Sequence, residues 1–282
     1  MSSTAKRRFN LSWLKPPAMP EDGSMALVDH LRELRYRVIV SAIAVVVGAI
    51  VCWFFIDTLL DVVMWPYHEA RRNLQADRPD LVMHTTYQGV SSPFIMKLQT
   101  GGFAGLLLTC PIWLYQLWAF IAPGLLSKER RWALTFLAAA IPLFLAGVVT
   151  GYFVTPKGYE VMIGFVPENS DALALLDAPT FLVNEIKLLT LFGVSFLLPV
   201  VLVTLNLMGV VTGEQLGKAR SAALFGCFVF AAVATPSTDP FSMLAMAMPM
   251  GFLYVVAELI SRRHDKRKAV QEAKELDVQL TY

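Results

Sequence analysis

The sequence predicts an all-α polytopic membrane protein. Six transmembrane helices, several kinked by proline, are expected to form a bowed, concave bundle with both termini in the cytoplasm. Three observations carry this. The chain is 56% hydrophobic with a mean hydropathy of +0.54, above ordinary globular domains. Its apolar residues come in long runs, not in alternation. Its basic residues gather at alternate borders of those runs, the pattern that marks the cytoplasmic side.

Residues 1–23 read as a disordered cytoplasmic tail, with Pro16, Pro17 and Pro20 among polar residues. Lys6, Arg7 and Arg8 precede no apolar core with a cleavage site, so insertion is expected to rest on the internal spans. The membrane domain is 24–260. Ser24 is the expected N-cap of a first helix. Leu27, Leu31, Leu34 and Val38 form one helical face, so an interfacial turn runs into the first span, Val38–Ile56.

The second span is Pro93–Trp118, the third Trp132–Val154 and the fourth Phe181–Leu207. The fifth, Ser221–Ala234, is short: about 14 residues reach about 21 Å, against a hydrocarbon core of about 30 Å. The sixth is Phe241–Ile260. Residues 261–282 form a charged cytoplasmic tail, read as a solvated helix. Pro111, Pro142, Pro199 and Pro249 fall inside spans, where proline removes a backbone donor and bends the helix. The two long loops, 57–92 and 155–180, are acidic and lie opposite the basic borders. They are expected to build a structured cap containing short helices.

A net charge of +2 does not indicate nucleic acid. Cys52, Cys110 and Cys227 sit in apolar runs without metal spacing and read as small buried hydrophobes. No phosphate loop, Gly-x-Ser-x-Gly or His-Glu-x-x-His motif occurs, so neither a cofactor nor an enzyme activity is expected.

Two cytoplasmic borders carry a carboxylate among arginines. Glu33 lies with Arg32, Arg35 and Arg37, and Glu129 with Lys128, Arg130 and Arg131. Acids contribute little to topology, so a carboxylate placed there twice points to a cationic ligand. Guanidinium matches carboxylate through two parallel hydrogen bonds, a fork that lysine lacks. The bland alternatives are an i,i+4 pair of Glu33 with Arg37 and a helix-start acid at Glu129 after an N-cap at Ser127.

The chain closely resembles the TatC family of the twin-arginine protein translocase. The carriers are His30-Leu-Arg-Glu-Leu-Arg-Tyr-Arg37, Ser92-Pro93-Phe94, the run from Pro111 through Tyr115, Gln116, Phe120, Pro123 and Gly124 to Glu129-Arg130-Arg131, then Phe192-Gly193 to Pro199, and Ala234-Thr235-Pro236 to Ser242. The resemblance implies an inner-membrane receptor for twin-arginine signal peptides of folded cargo. It also implies TatA- and TatB-like single-span partners and transport driven by the protonmotive force. Self-association and contact with membrane lipids are expected too.

The resemblance assigns signal-peptide binding to Glu33 and Glu129. Arg35 and Arg131 are expected either to hold those carboxylates when no signal is bound or to anchor the border, and Phe120 and Pro123 to form an aromatic wall and a rigid turn beside Glu129. Small and flexible residues on the last two spans, Ser221, Gly226, Met243 and Met246, are the expected partner-docking surface. One departure stands out: many relatives have a glutamate where this chain has Leu197, a side chain expected to face the concavity. Glu185 and Lys187, near the outer border of the same helix, are read as snorkelling charges. The rival readings are a secondary transporter and a membrane scaffold. Transporter folds show internal repeats and midplane charges, and neither is visible here.

Overall fold

A computed structural model describes residues 27–77, 83–121, 130–165, 174–235 and 240–280. Helix α1 (Leu27–Trp53) runs unbroken from the amphipathic turn into the first span. At 1.5 Å per residue it extends about 40 Å, more than the hydrocarbon core requires. Helix α2 (Ile56–Asp77) follows after one turn. It buries Val63, Tyr67, Ala70 and Leu74, spaced four, three and four, and turns its charges away. Strand β1 (Met83–Thr86) then pairs in parallel with β2 (Ala174–Asp177) from the other long loop, Met83 opposite Ala174. The expected cap therefore contains one long helix and a small sheet. The sheet was not legible as a pattern, since two four-residue strands are too short for an alternation.

Helices α3 (Ser92–Leu108) and α4 (Cys110–Ile121) bend by 62° at Thr109. Pro111 has no N–H to continue the ladder across this point. Thr109 closes the turn by donating its backbone N–H and its hydroxyl to Gly105 O, at 3.0 and 2.7 Å. The Trp113 indole donates to Leu106 O at 3.0 Å. Helix α5 (Arg130–Gly164) is continuous through Pro142 and Pro156. The fourth apolar run divides into α6 (Ala178–Ser195) and α7 (Leu198–Leu207), with the break just before Pro199.

Helix α8 (Gly213–Lys218) starts in a capping box: Thr212 accepts from the Gln215 N–H and the Gln215 side chain accepts from the Thr212 N–H. Helix α9 (Arg220–Ala234) has 15 residues. It spans about 22 Å and is too short for an undeformed bilayer. Helix α10 (Pro240–Leu280) runs 41 residues without a break, so the last span and the charged tail are one helix. Among the described residues, four helical stretches are long and apolar enough to cross a membrane, five when the bent α3–α4 pair counts as one span, and α9 is a shorter apolar helix.

The main core joins α2 to α6, with Leu114, Phe144 and Leu182 fully buried. A second cluster packs Phe192 and Phe196 against Ala231, Met246 and Ala247 of α9 and α10. Glycine permits the closest helix contacts. A Cβ on Gly105 would lie 2.5 Å from Ala49 N of α1, and one on Gly147 of α5 would lie 2.5 Å from Phe192 O of α6. Small residues of this kind let membrane helices approach at backbone distance.

Three expectations about side chains are corrected. Leu197 is 5% exposed and belongs to the main core, so it faces dry packing. It lies four residues after Gly193, which packs on Phe144 and Val148 of α5. Glu185 is fully buried, with neither carboxylate oxygen hydrogen-bonded, so it does not snorkel. It shares the face of Leu182 and Leu189, which packs on α5, whereas Lys187 lies on the exposed face. Met246 is fully buried inside the second cluster.

Candidate functional site

Helix α1 places His30, Glu33 and Arg37 on one face by spacings of three and four. Helix α4 places Gln116 and Phe120 on one face by a spacing of four. The two helices pack so that these faces meet. The His30 ring stacks on Phe120, with centroids 4.6 Å apart and planes 17° from parallel. Arg37 Nη1 donates to Gln116 Oε1 at 3.3 Å. Residues 79 positions apart in sequence thus form one small polar patch against an aromatic stack.

At its centre Glu33 is only 2% exposed. Arg37 Nε donates to Glu33 Oε1 at 2.9 Å, and Arg37 Nη2 donates to the same oxygen. The other oxygen, Oε2, is buried and accepts no hydrogen bond. A charged acceptor left in that state costs more than the about 1–3 kcal/mol of a neutral one. The carboxylate is held by one guanidinium and retains a free oxygen for another donor. A second arginine would satisfy it through a charge-assisted bond.

Arg35, expected as the holder of a carboxylate, is exposed and makes no ion pair among the described residues. Arg37 has that role instead, because it shares the buried face of Glu33 and Arg35 does not. Glu129 and Pro123 lie outside the described residues, as does the side chain of Arg131, whose backbone opens α5. His30 and Gln116 were not among the expected binding residues. Only the α1–α4 contact reveals them, since no local spacing links the two.

A second polar cluster joins α8, α9 and α10. Glu258 is fully buried and receives Arg220 Nε and Nη2, both at 2.7 Å, together with Arg262 Nε at 2.8 Å. Asp265 accepts from Gly213 N at 2.7 Å and from Asn206 Nδ2 at 2.8 Å. The Arg220 bonds clasp the short α9 to α10, and the Asp265 bonds tie the end of α7 and the start of α8 to it. Gly213 is required here, because a Cβ would lie 2.6 Å from Arg262 N. Of the expected docking residues, Ser221 and Gly226 are exposed on α9 and Met243 is half-buried. Met248, one helical turn and a half beyond Met243, is 66% exposed.

The family model of the Sec-independent protein translocase protein TatC matches residues 29–249. A TatC from Xylanimonas cellulosilytica is 39% identical over 251 residues, covering 89% of this chain and 88% of that protein. A TatC from Frankia casuarinae is 37% identical over 252 residues, covering 88% and 69%. The crystal structure of a twin-arginine translocase receptor, TatC in DDM, superposes with a TM-score of 0.68 at 29% identity, covering 82% of this chain and 99% of that one. The buried Glu33 patch and the apolar helices thus occur in a chain that belongs to the TatC family, and the protein is a multi-pass membrane subunit of the Sec-independent protein translocase.

Proposed function

We propose that this protein is the receptor that binds twin-arginine signal peptides at the α1–α4 patch. With TatA- and TatB-like partners it exports folded proteins across the cytoplasmic membrane, driven by the protonmotive force. The observation that carries this reading is Glu33, a buried carboxylate with one oxygen held by Arg37 and the other unpaired. An incoming guanidinium supplies the missing donor, and the His30–Phe120 stack offers a flat face beside it. Glu129, Arg131 and Pro123 are proposed to complete the site from the adjoining loop, and Arg35 to contact the peptide from the exposed face of α1. The test is a twin-arginine peptide with a photoreactive group beside the arginine pair. It should crosslink to α1 near Glu33 and to α4 near Phe120. Crosslinks confined to α9 or α10 would overturn the assignment.

The proposed topology has six spans, with α9 as the fifth and both termini cytoplasmic. It rests on the asymmetry of basic residues. Single cysteines near Asp77 and Asp171 should react with an impermeant reagent added outside intact cells, and one at Ser127 should not. Labelling at position 127 from outside would sink the six-span arrangement.

Single-span partners are proposed to dock along α9 and α10. Support comes from the open space above Gly226 and the exposure of Ser221 and Met248. A cysteine at Met248 should form a disulfide with one in a TatB-like helix, and one at the buried Met246 should not. Crosslinks found only to α1 or α5 would move the docking surface elsewhere.

A further inference from the structure

A cavity of about 400 Å³ opens between α4, α5, α7 and α10. Its walls are apolar, among them Phe136, Leu143, Val203, Leu253 and Ile260. Thr204 is also in the wall, but its hydroxyl donates to Val200 O at 2.7 Å. A second cavity of about 750 Å³ adjoins it, and Leu207 lines both. The second is polar, and α10 provides one side of it with Arg262, Lys266 and Lys268. One helix therefore passes from Leu253 and Ile260 in the dry slot to three cations in the wet one.

The charges in the polar cavity are not equally available. Its carboxylates are Glu214, Asp265 and Glu272. Asp265 is occupied by Gly213 N and Asn206, and Glu214 is paired with Lys218 at 2.8 Å. Glu272 reaches Lys268 only at 3.9 Å. Lys266 has no ion pair among the described residues, and the segment from Arg262 to Lys268 holds five cations against the single carboxylate Asp265. Of the three cations, Arg262 is held by Glu258 and Lys268 lies 3.9 Å from Glu272, so Lys266 is the one without an ion pair among the described residues.

An apolar slot that ends at an unpaired lysine, with further cations beside it, fits an amphiphile with an anionic head. We propose that the two cavities form one binding site for a glycerophospholipid. An acyl chain would lie in the slot past Val203 and Leu253, with the phosphate at Lys266. Basic pockets at the ends of membrane helices take lipid head groups by this chemistry. This site is separate from the Glu33 patch and goes beyond the export reading.

The experiment reconstitutes the full chain in vesicles of phosphatidylethanolamine and phosphatidylglycerol. The phosphatidylglycerol carries a photoreactive group in its acyl chain, and adducts are mapped by mass spectrometry. Adducts should concentrate at Val203–Leu207 and Leu253–Ile260, above the exposed α1 stripe of Val46, Val47 and Ile50. Val203→Trp, which fills the slot, should remove them. Leu253→Phe serves the same purpose where the tryptophan lowers the inserted level. Lys266→Glu should reduce them about tenfold, the loss of one charge-assisted contact. A diacylglycerol probe with the same chain should label the slot about tenfold less for the same reason.

Equal labelling of slot and α1 stripe, indifference to both slot-filling variants, or equal labelling by the diacylglycerol would each overturn the site. Disappearance of the adducts when a twin-arginine peptide is added would assign the slot to the peptide and also overturn it. Crosslinking of that peptide near Glu33 is read on the same samples, so failure of the lipid site and failure of the receptor reading are distinguishable.

Discussion

Glu33→Lys should abolish signal-peptide binding and stop export of a folded reporter while the protein still inserts. The substitution removes the carboxylate and sets a second cation beside Arg37, which now shares its buried face. Loss of a charge-assisted hydrogen bond costs about 1.5–3 kcal/mol, or roughly tenfold to a hundredfold in affinity. Like-charge repulsion at i,i+4 adds to it. Glu33→Gln keeps the shape and removes only the charge, so it should weaken binding in the same direction with less disturbance of α1. The measurements are peptide affinity, reporter export and the level of inserted protein. Unchanged affinity in both variants, at normal insertion, would remove Glu33 from the site.

Leu197→Glu should lower the amount of folded, inserted protein sharply, with export lost as a consequence. A glutamate at this position would enter the main core between the ends of α6 and α7, among apolar side chains. Losing the buried leucine costs about 1.5–3 kcal/mol, and a carboxylate at membrane depth costs about 2.5–3.5 kcal/mol on insertion scales. The two together approach the net stability of a typical domain, about 5–15 kcal/mol. Leu197→Met keeps volume and polarity and should be nearly silent. A Leu197→Glu protein that accumulates and exports normally would show that this end of α6 opens to water.

The consequence of Leu197 was misjudged from sequence for a definite reason. Helical spacing places Leu197 four residues after Gly193, on the face of α6 that meets α5, but spacing alone does not say that this face is covered. The same limit affected Glu185. Its position near a border suggested a charge that reaches for water, yet the face it occupies is decided by Gly147 and Gly151, which bring α5 against α6. Met246 was chosen for its chemistry, flexibility beside small residues, and is enclosed for the same chemistry. Of the proposed site, Glu33 and Phe120 could be named from sequence because their motifs are local. His30 and Gln116 were not, because nothing in α1 states which residues of α4 it will meet.

The sequence by itself determined the class of the protein and its family. Apolar runs of membrane length, their basic borders and the ordered motifs from His30 to Ser242 are properties of composition and spacing, and they need no tertiary contact to be read. Only the tertiary structure decided which arginine holds Glu33, which oxygen stays free, and where the slot at Leu207 meets the cations of α10. Those outcomes depend on helix rotation and close approach. They are set by glycine contacts and proline breaks many residues away from the groups they position.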